Sequence, residues 1–245
     1  MGDSRDVKRK PVELTNLLHV AGDDRAVEDL RGYFQPDRAP AVAPVYSGSR
    51  FEFFAGGGDR PATTNQITVD DLVAVTLLAV DVPGDVALRL LEGDLGQQVS
   101  QLLTAIPTDV AIDSPEAAAV LAADSPARQA YDLLEKPRGM GWVITSKLLA
   151  RKRPQLLPVY DRVVRCSFGR PAGVWNWLLA MFAADGGVLA KQLQVAREAA
   201  RVPAKVSALR VLDVIVWMRH RDEHQNNGTC AGLVSARANT GTEVS

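Results

Sequence analysis

Cysteine is scarce in this chain: Cys166 and Cys230 are the two present in 245 residues, too few for a disulfide framework or a cysteine-ligated cluster. Histidine occurs three times and aromatic residues make up 6%. No apolar run reaches the length that crosses a bilayer, and the best candidate, "LVAVTLLAV", is followed at once by Asp81 and Pro83. The start, "MGDSRDVKRKPVEL", is charged without an apolar stretch behind it, so no secretory leader is expected. Gly2 is followed by Asp3, Ser4, Arg5 and Asp6, a poor match to an acylation site. A cytoplasmic location is the expectation, with no membrane partner and no cofactor.

Net charge is also nearly absent, at −1, but the near-zero total conceals two opposed blocks. From Asp70 to Asp124 ten acids stand against Arg89 alone, about −9. From Lys136 to Arg170 nine bases stand against Asp161 alone, about +8. A basic block is a candidate polyanion-binding surface. The same pattern also arises when the two blocks face each other inside one fold, or when the basic block meets an acidic protein partner.

Apolar periodicity is helical along most of the chain, which predicts an all-α fold: a two-lobed multi-helix bundle. Residues 1–66 read as a charged tail, one short helix over 23–34 and an irregular segment, in which "VYSGSRFEFF" is the one candidate for a short strand pair. "GGGD" lacks the lysine and helix of a phosphate loop and reads as a flexible connection. The helical domain is expected over 67–222. It opens with Thr68 and Asp71 as a capping-box analogue ahead of "LVAVTLLAV". Further helices are expected at 84–92, 94–105, 115–123, 126–136, 142–151, 161–168, 173–184, 188–201 and 204–221. Ser114-Pro115 and Ser125-Pro126 supply start signals for two of them. Residues 223–245 read as a disordered tail.

Chemistry concentrates in "RGMGWVITSKLLARKRPQLLPVYDRVVR", residues 138–165. Gly139 and Gly141 permit a tight turn between two helices and leave the backbone open to a partner. Amides at the start of the second helix favour an anion. Lys147, Arg151, Lys152 and Arg153 are the bases expected to add phosphate contacts, a grip on nucleic acid that ignores sequence. An ordinary helix–helix turn with a solvated charged face fits the same residues. Asp161 opens a predicted helix and is a natural N-cap. His220 and His224 share a helical face and Cys230 follows, but "HRDEH" lacks the H-E-x-x-H order, so no metal site is expected.

With Gly139 and Gly141 as hairpin glycines and "PVYDRVVR" placing Asp161 twenty positions after Gly141, the region 125–170 resembles the helix-hairpin-helix DNA glycosylase superfamily. The chain also resembles an uncharacterised bacterial family that shares the "SKLLARKRP…PVYD" core. The first resemblance implies a DNA-repair protein bound to duplex DNA, with Asp161 as the carboxylate that stabilises positive charge on the sugar. Val143 stands where bifunctional members carry a lysine nucleophile, so any activity would be that of a monofunctional DNA N-glycosylase. The hairpin proline is displaced to Pro137 and the four-cysteine iron–sulfur motif is absent. Such enzymes hold an extruded base in an aromatic or apolar pocket, for which Tyr160 and Trp142, with Trp175 and Trp177 nearby, are the candidates; core packing is the alternative for the tryptophans. A module that keeps DNA binding without catalysis carries the same residues.

Overall fold

Polar side chains set five of the helix starts in this protein. The computed structural model describes residues 10–39, 42–230 and 232–233. Helices α1 (Leu14–Gly22) and α2 (Asp24–Phe34) precede an irregular stretch that holds two 3₁₀ turns, Ser47–Arg50 and Phe54–Gly56. Then follow α3 (Val69–Thr76), α4 (Gly84–Leu91), α5 (Asp94–Thr104), α6 (Ala117–Val120) and α7 (Pro126–Glu135). The remaining helices are α8 (Gly141–Lys152), α9 (Arg162–Ser167), α10 (Val174–Ala183), α11 (Val188–Ala199) and α12 (Ala208–Asn227).

Asp23, Ser125 and Ser207 each accept a backbone N–H in the first turn of the helix they precede, at 2.9, 3.2 and 3.1 Å. At α3 the Asp71 carboxylate reaches back to the Thr68 amide at 2.9 Å, one half of the capping box. No strand occurs among the described residues, so the chain is all-α.

The helices pack in two groups. In one, α3 lies on α8, and α4, α5, α7 and α8 form a chain of neighbours. In the other, α12 is flanked by α2, α9 and α11, with α1 on α11. The first part of α12, from Leu209 to Val216, is buried on every side, as its mostly apolar sequence requires.

Several expectations need correction. The described residues of the segment expected over 1–66 do not stand apart from the helical domain of 67–222: Leu17, Ala26, Leu30 and Phe51 belong to the same core as Val214 and Ile215. The helix α1 went unforeseen, because its nine residues carry no side-chain cap. "VYSGSRFEFF" forms 3₁₀ turns rather than a strand pair. α12 runs to Asn227, and Cys230 and Leu233 are buried beyond it, so the expected tail at 223–245 begins ordered. Residues 1–9 and 234–245 lie outside the described residues.

The largest correction concerns the basic block. Lys147, Arg151, Lys152 and Arg153 are all at most 3% exposed and are not available to phosphates from outside. Apart from Lys147, their donors go mainly to carbonyls of the irregular segment between α2 and α3. Arg151 donates to the carbonyls of Phe51 and Phe54. Lys152 donates to those of Gly58 and Thr63, both at 3.1 Å. Arg153 reaches the carbonyls of Thr64 at 2.9 Å and Ile106 at 3.0 Å, and the Asn65 side chain at 2.6 Å. Asp71, 1% exposed, pairs with both Arg151 and Lys152. One acid of the acidic block, Asp71, thus meets two cations of the basic block inside the fold.

Replacing Asp71 by Asn strands two buried cations while keeping an acceptor for the Thr68 amide. Loss of one partner from a buried ion pair costs about 3–5 kcal/mol. Urea denaturation of Asp71→Asn should show a loss of that order. A change below about 1 kcal/mol, the range of exposed pairs, would mean the cations are held by the carbonyls alone.

Candidate functional site

The turn between α7 and α8 closes with the Met140 amide on the Pro137 carbonyl at 3.1 Å. Gly139 and Gly141 both take positive φ, +89° and +55°, which explains glycine at each position. A side chain at Gly139 would strike Pro83 at 2.8 Å, whereas one at Gly141 would meet nothing within 4 Å. Both glycines are exposed, at the apex of a helix–turn–helix hairpin.

Beside this apex lies a cleft of 860 Å³ between the two helix groups. One wall is the hairpin and the first turns of α8, from Gly139 to Lys147, with the turn at 77–81. The opposite wall comes from the end of α2 and the first 3₁₀ turn, and from Arg210, Asp213 and Trp217 of α12. Asp161 and Arg162 lie at its edge.

Asp161 caps α9 by accepting the Val164 amide at 3.0 Å, yet its side chain is half-buried and lines the cleft. Capping and presentation to the cleft coexist in one carboxylate. Lys147 also lines the cleft and donates from Nζ to the Leu78 carbonyl at 2.8 Å. Burial lowers its pKa, and the charges of Asp161 and Asp213 work against that. Lys147 is thus a fixed cation of the cleft wall, not a surface phosphate contact.

The opposite wall is organised by Arg210. Its Nε bonds Glu52 at 2.6 Å, one Nη bonds Asp213, and the other bonds the Tyr33 hydroxyl at 2.8 Å and the Gly48 carbonyl at 3.0 Å. Gly48 is required here, since a Cβ would fall 2.2 Å from the Tyr33 hydroxyl. One guanidinium serves two buried carboxylates, so the pair is short of positive charge. Burial, with help from the charge of Asp161, pushes Asp213 up to about 7 despite Arg210.

An aromatic surface completes this wall. Tyr46 stacks on Tyr33 with centroids 5.3 Å apart, and Trp217 meets both rings edge-on. Trp142 lines the cleft from the hairpin side and also borders a second cavity. Tyr160 does not line the cleft: it is 7% exposed, packs on Trp142 at 5.4 Å and borders that second cavity, of 290 Å³, with Tyr131 and Trp175. The cause is the extended backbone at Asp161 ahead of the helix start, which turns adjacent side chains to different faces.

Among the expected site residues, the structure brings together Asp161, Gly139, Gly141, Trp142 and Lys147 around one cleft, and turns Arg151, Lys152, Arg153 and Tyr160 away from it. Sequence reasoning missed Tyr33, Tyr46, Arg210, Asp213 and Trp217. A signal existed for two of them: Arg210 and Asp213 are the charges in "SALRVLDVIVW", and charges in a buried helix require partners. Groups of metal-donor side chains lie outside the cleft, near the C-terminal end of α12.

The model of a family of unknown function, DUF6308, matches residues 26–220, which spans α2 to α12 and every cleft residue except Gln225. No curated protein and no solved structure matches the chain.

Asp213 gives the fold a pH signature. Its carboxyl is raised from 3.8 to about 7, so the folded chain holds a proton that the unfolded chain releases. Its stabilising contribution is full below the unfolded value and is lost as pH rises through about 7. Asp213→Asn, which keeps an acceptor for Arg210, should remove that decline. Unfolding midpoints in urea from about pH 4 to 8 test this. Parallel curves for wild type and variant would assign the titration elsewhere.

Proposed function

The chain belongs to the DUF6308 family of unknown function, and within it we propose a helix-hairpin-helix protein that binds duplex DNA and takes one extruded nucleotide into the cleft beside Asp161. The reading is carried by one observation: a carboxylate already fixed by capping α9 lines an open cleft next to an exposed hairpin apex. At that apex a phosphate backbone can approach the α8 amides without meeting a side chain at Gly141. The buried cations leave the outer contacts to Lys136, Arg138 and Arg162, all exposed on or near the hairpin and the cleft rim.

In this reading a base enters between Trp142 on one wall and the Tyr46–Trp217 side of the other, where Tyr46 is already stacked on Tyr33 and Arg221 lies over the Tyr46 and Trp217 rings. The sugar then lies at Asp161. An ionised carboxylate there would stabilise positive charge developing at the anomeric carbon, the chemistry of a monofunctional N-glycosylase. Lys147 and the Arg210 network hold the carboxylate's surroundings fixed. The finer step, release of a base, rests on Asp161; binding rests on the hairpin and the exposed cations.

Two variants separate these. Arg138→Ala with Arg162→Ala should flatten the salt dependence of duplex binding by roughly 0.9 for each phosphate no longer neutralised, without altering sequence preference. Asp161→Asn should fold normally, since Asn caps a helix about as well as Asp. It should bind duplex DNA like the wild type yet release base from damaged duplexes about 100-fold more slowly or worse. Binding that ignores salt in the wild type removes the nucleic-acid reading. Binding with no base release from any substrate leaves a non-catalytic DNA-binding module.

A further inference from the structure

The sulfur and imidazole groups at the far end of α12 have no role in the cleft, and they converge. Cys166 lies in the last turn of α9, His224 in the last turn of α12, and Cys230 just past the Gly228 cap. Their ligand atoms all lie within 4.8 Å of one another. A second grouping, His220, Glu223 and Cys230, shares Cys230 and meets the same distance limit. We propose that Cys166, His224 and Cys230 bind a thiophilic divalent cation of the zinc type, with the fourth position filled by His220, Glu223 or a water molecule.

Four observations carry this. The donor set is soft sulfur plus imidazole, which suits zinc rather than magnesium or calcium. Tetrahedral zinc, with bonds of about 2.0–2.3 Å, holds its donors roughly 3.4–3.8 Å apart, so a small closing movement completes the site. Each sulfur already has a polar neighbour of the kind that supports a bound thiolate. The Cys230 amide donates to Cys166 Sγ at 3.4 Å, the Thr229 hydroxyl lies 3.5 Å from the same sulfur, and the Ser167 hydroxyl lies 3.5 Å from Cys230 Sγ. Finally, Nδ1 of His224 is buried without a hydrogen-bond partner. A buried polar atom left so costs about 1–3 kcal/mol, and a metal bond would satisfy it.

Both sulfurs are shut from solvent, Cys166 at 3% and Cys230 at 1% exposure, so the site is closed and structural in type. On binding, each thiol gives up its proton to solvent and both sulfurs become anionic ligands. The ion would join α9, which Asp161 starts, to the end of α12 and to the segment after it, whose Leu233 amide already donates to the Ser167 carbonyl at 3.2 Å.

The test uses the full chain, stripped with chelator under reducing conditions and then titrated with zinc or cobalt alone. We expect one ion per chain, retained through gel filtration. The cobalt form should show sulfur-to-metal charge transfer and the intense visible absorption of a tetrahedral site. Cys166→Ser, Cys230→Ser and His224→Gln should each weaken binding by more than about 100-fold, beyond the effect of outer-shell changes, whereas His19→Gln should leave it unaltered. Zinc should raise the unfolding temperature of the wild type and leave that of the three variants unmoved. A reduced wild-type chain that retains no zinc or cobalt overturns the proposal. So does equal retention after Cys166→Ser, or a chain isolated with a Cys166–Cys230 disulfide that binds no metal once reduced.

Discussion

One buried carboxylate, Asp71, is the constraint on which the path of residues 51–65 depends. It neutralises Arg151 and Lys152 where neither reaches water, and so lets the end of α8 turn three consecutive cations inward. Those cations then add side-chain hydrogen bonds to the carbonyls of Phe51, Gly58 and Thr64, beyond the turns that residues 51–65 make among themselves. Without the carboxylate, desolvation of two cations would outweigh the carbonyl contacts they make. With it, a segment rich in glycine and short of regular structure acquires a fixed path, and the 3₁₀ turn that carries Gly48 is held against α12 through Arg210.

The cleft depends on that path. Its far wall includes Tyr46 to Gly48, which Tyr33 of α2 fixes by stacking and Arg210 of α12 fixes through the Gly48 carbonyl. The near wall is a hairpin whose geometry follows from two left-handed glycines.

Helix positions were legible because they rest on local chemistry: Asp23, Thr68, Ser125 and Asp161 are caps that act within one turn. The hairpin and the placement of Asp161 near it were legible for the same reason. The direction of the basic block was not. A run of cations on a helix reads alike whether its partners are phosphates outside or carbonyls inside, and the deciding partner, Asp71, lies eighty residues earlier in the chain. The missing hint was the irregular stretch itself, whose carbonyls beyond its own turns called for donors from elsewhere. The sulfur–imidazole cluster was half visible, since His220, His224 and Cys230 are close in the chain. Cys166 joins them through the packing of α9 on α12, which no local pattern reports.

The contacts of residues 51–65 also impose an order on biosynthesis. This segment leaves the ribosome long before its partners: Phe51 waits one hundred residues for Arg151, and Thr64 eighty-nine for Arg153. Until α8 has emerged, those carbonyls have only water to bond and the wall around Gly48 has no anchor. The path of residues 51–65 is therefore completed only once α8 is available, in a step in which distant contacts form together.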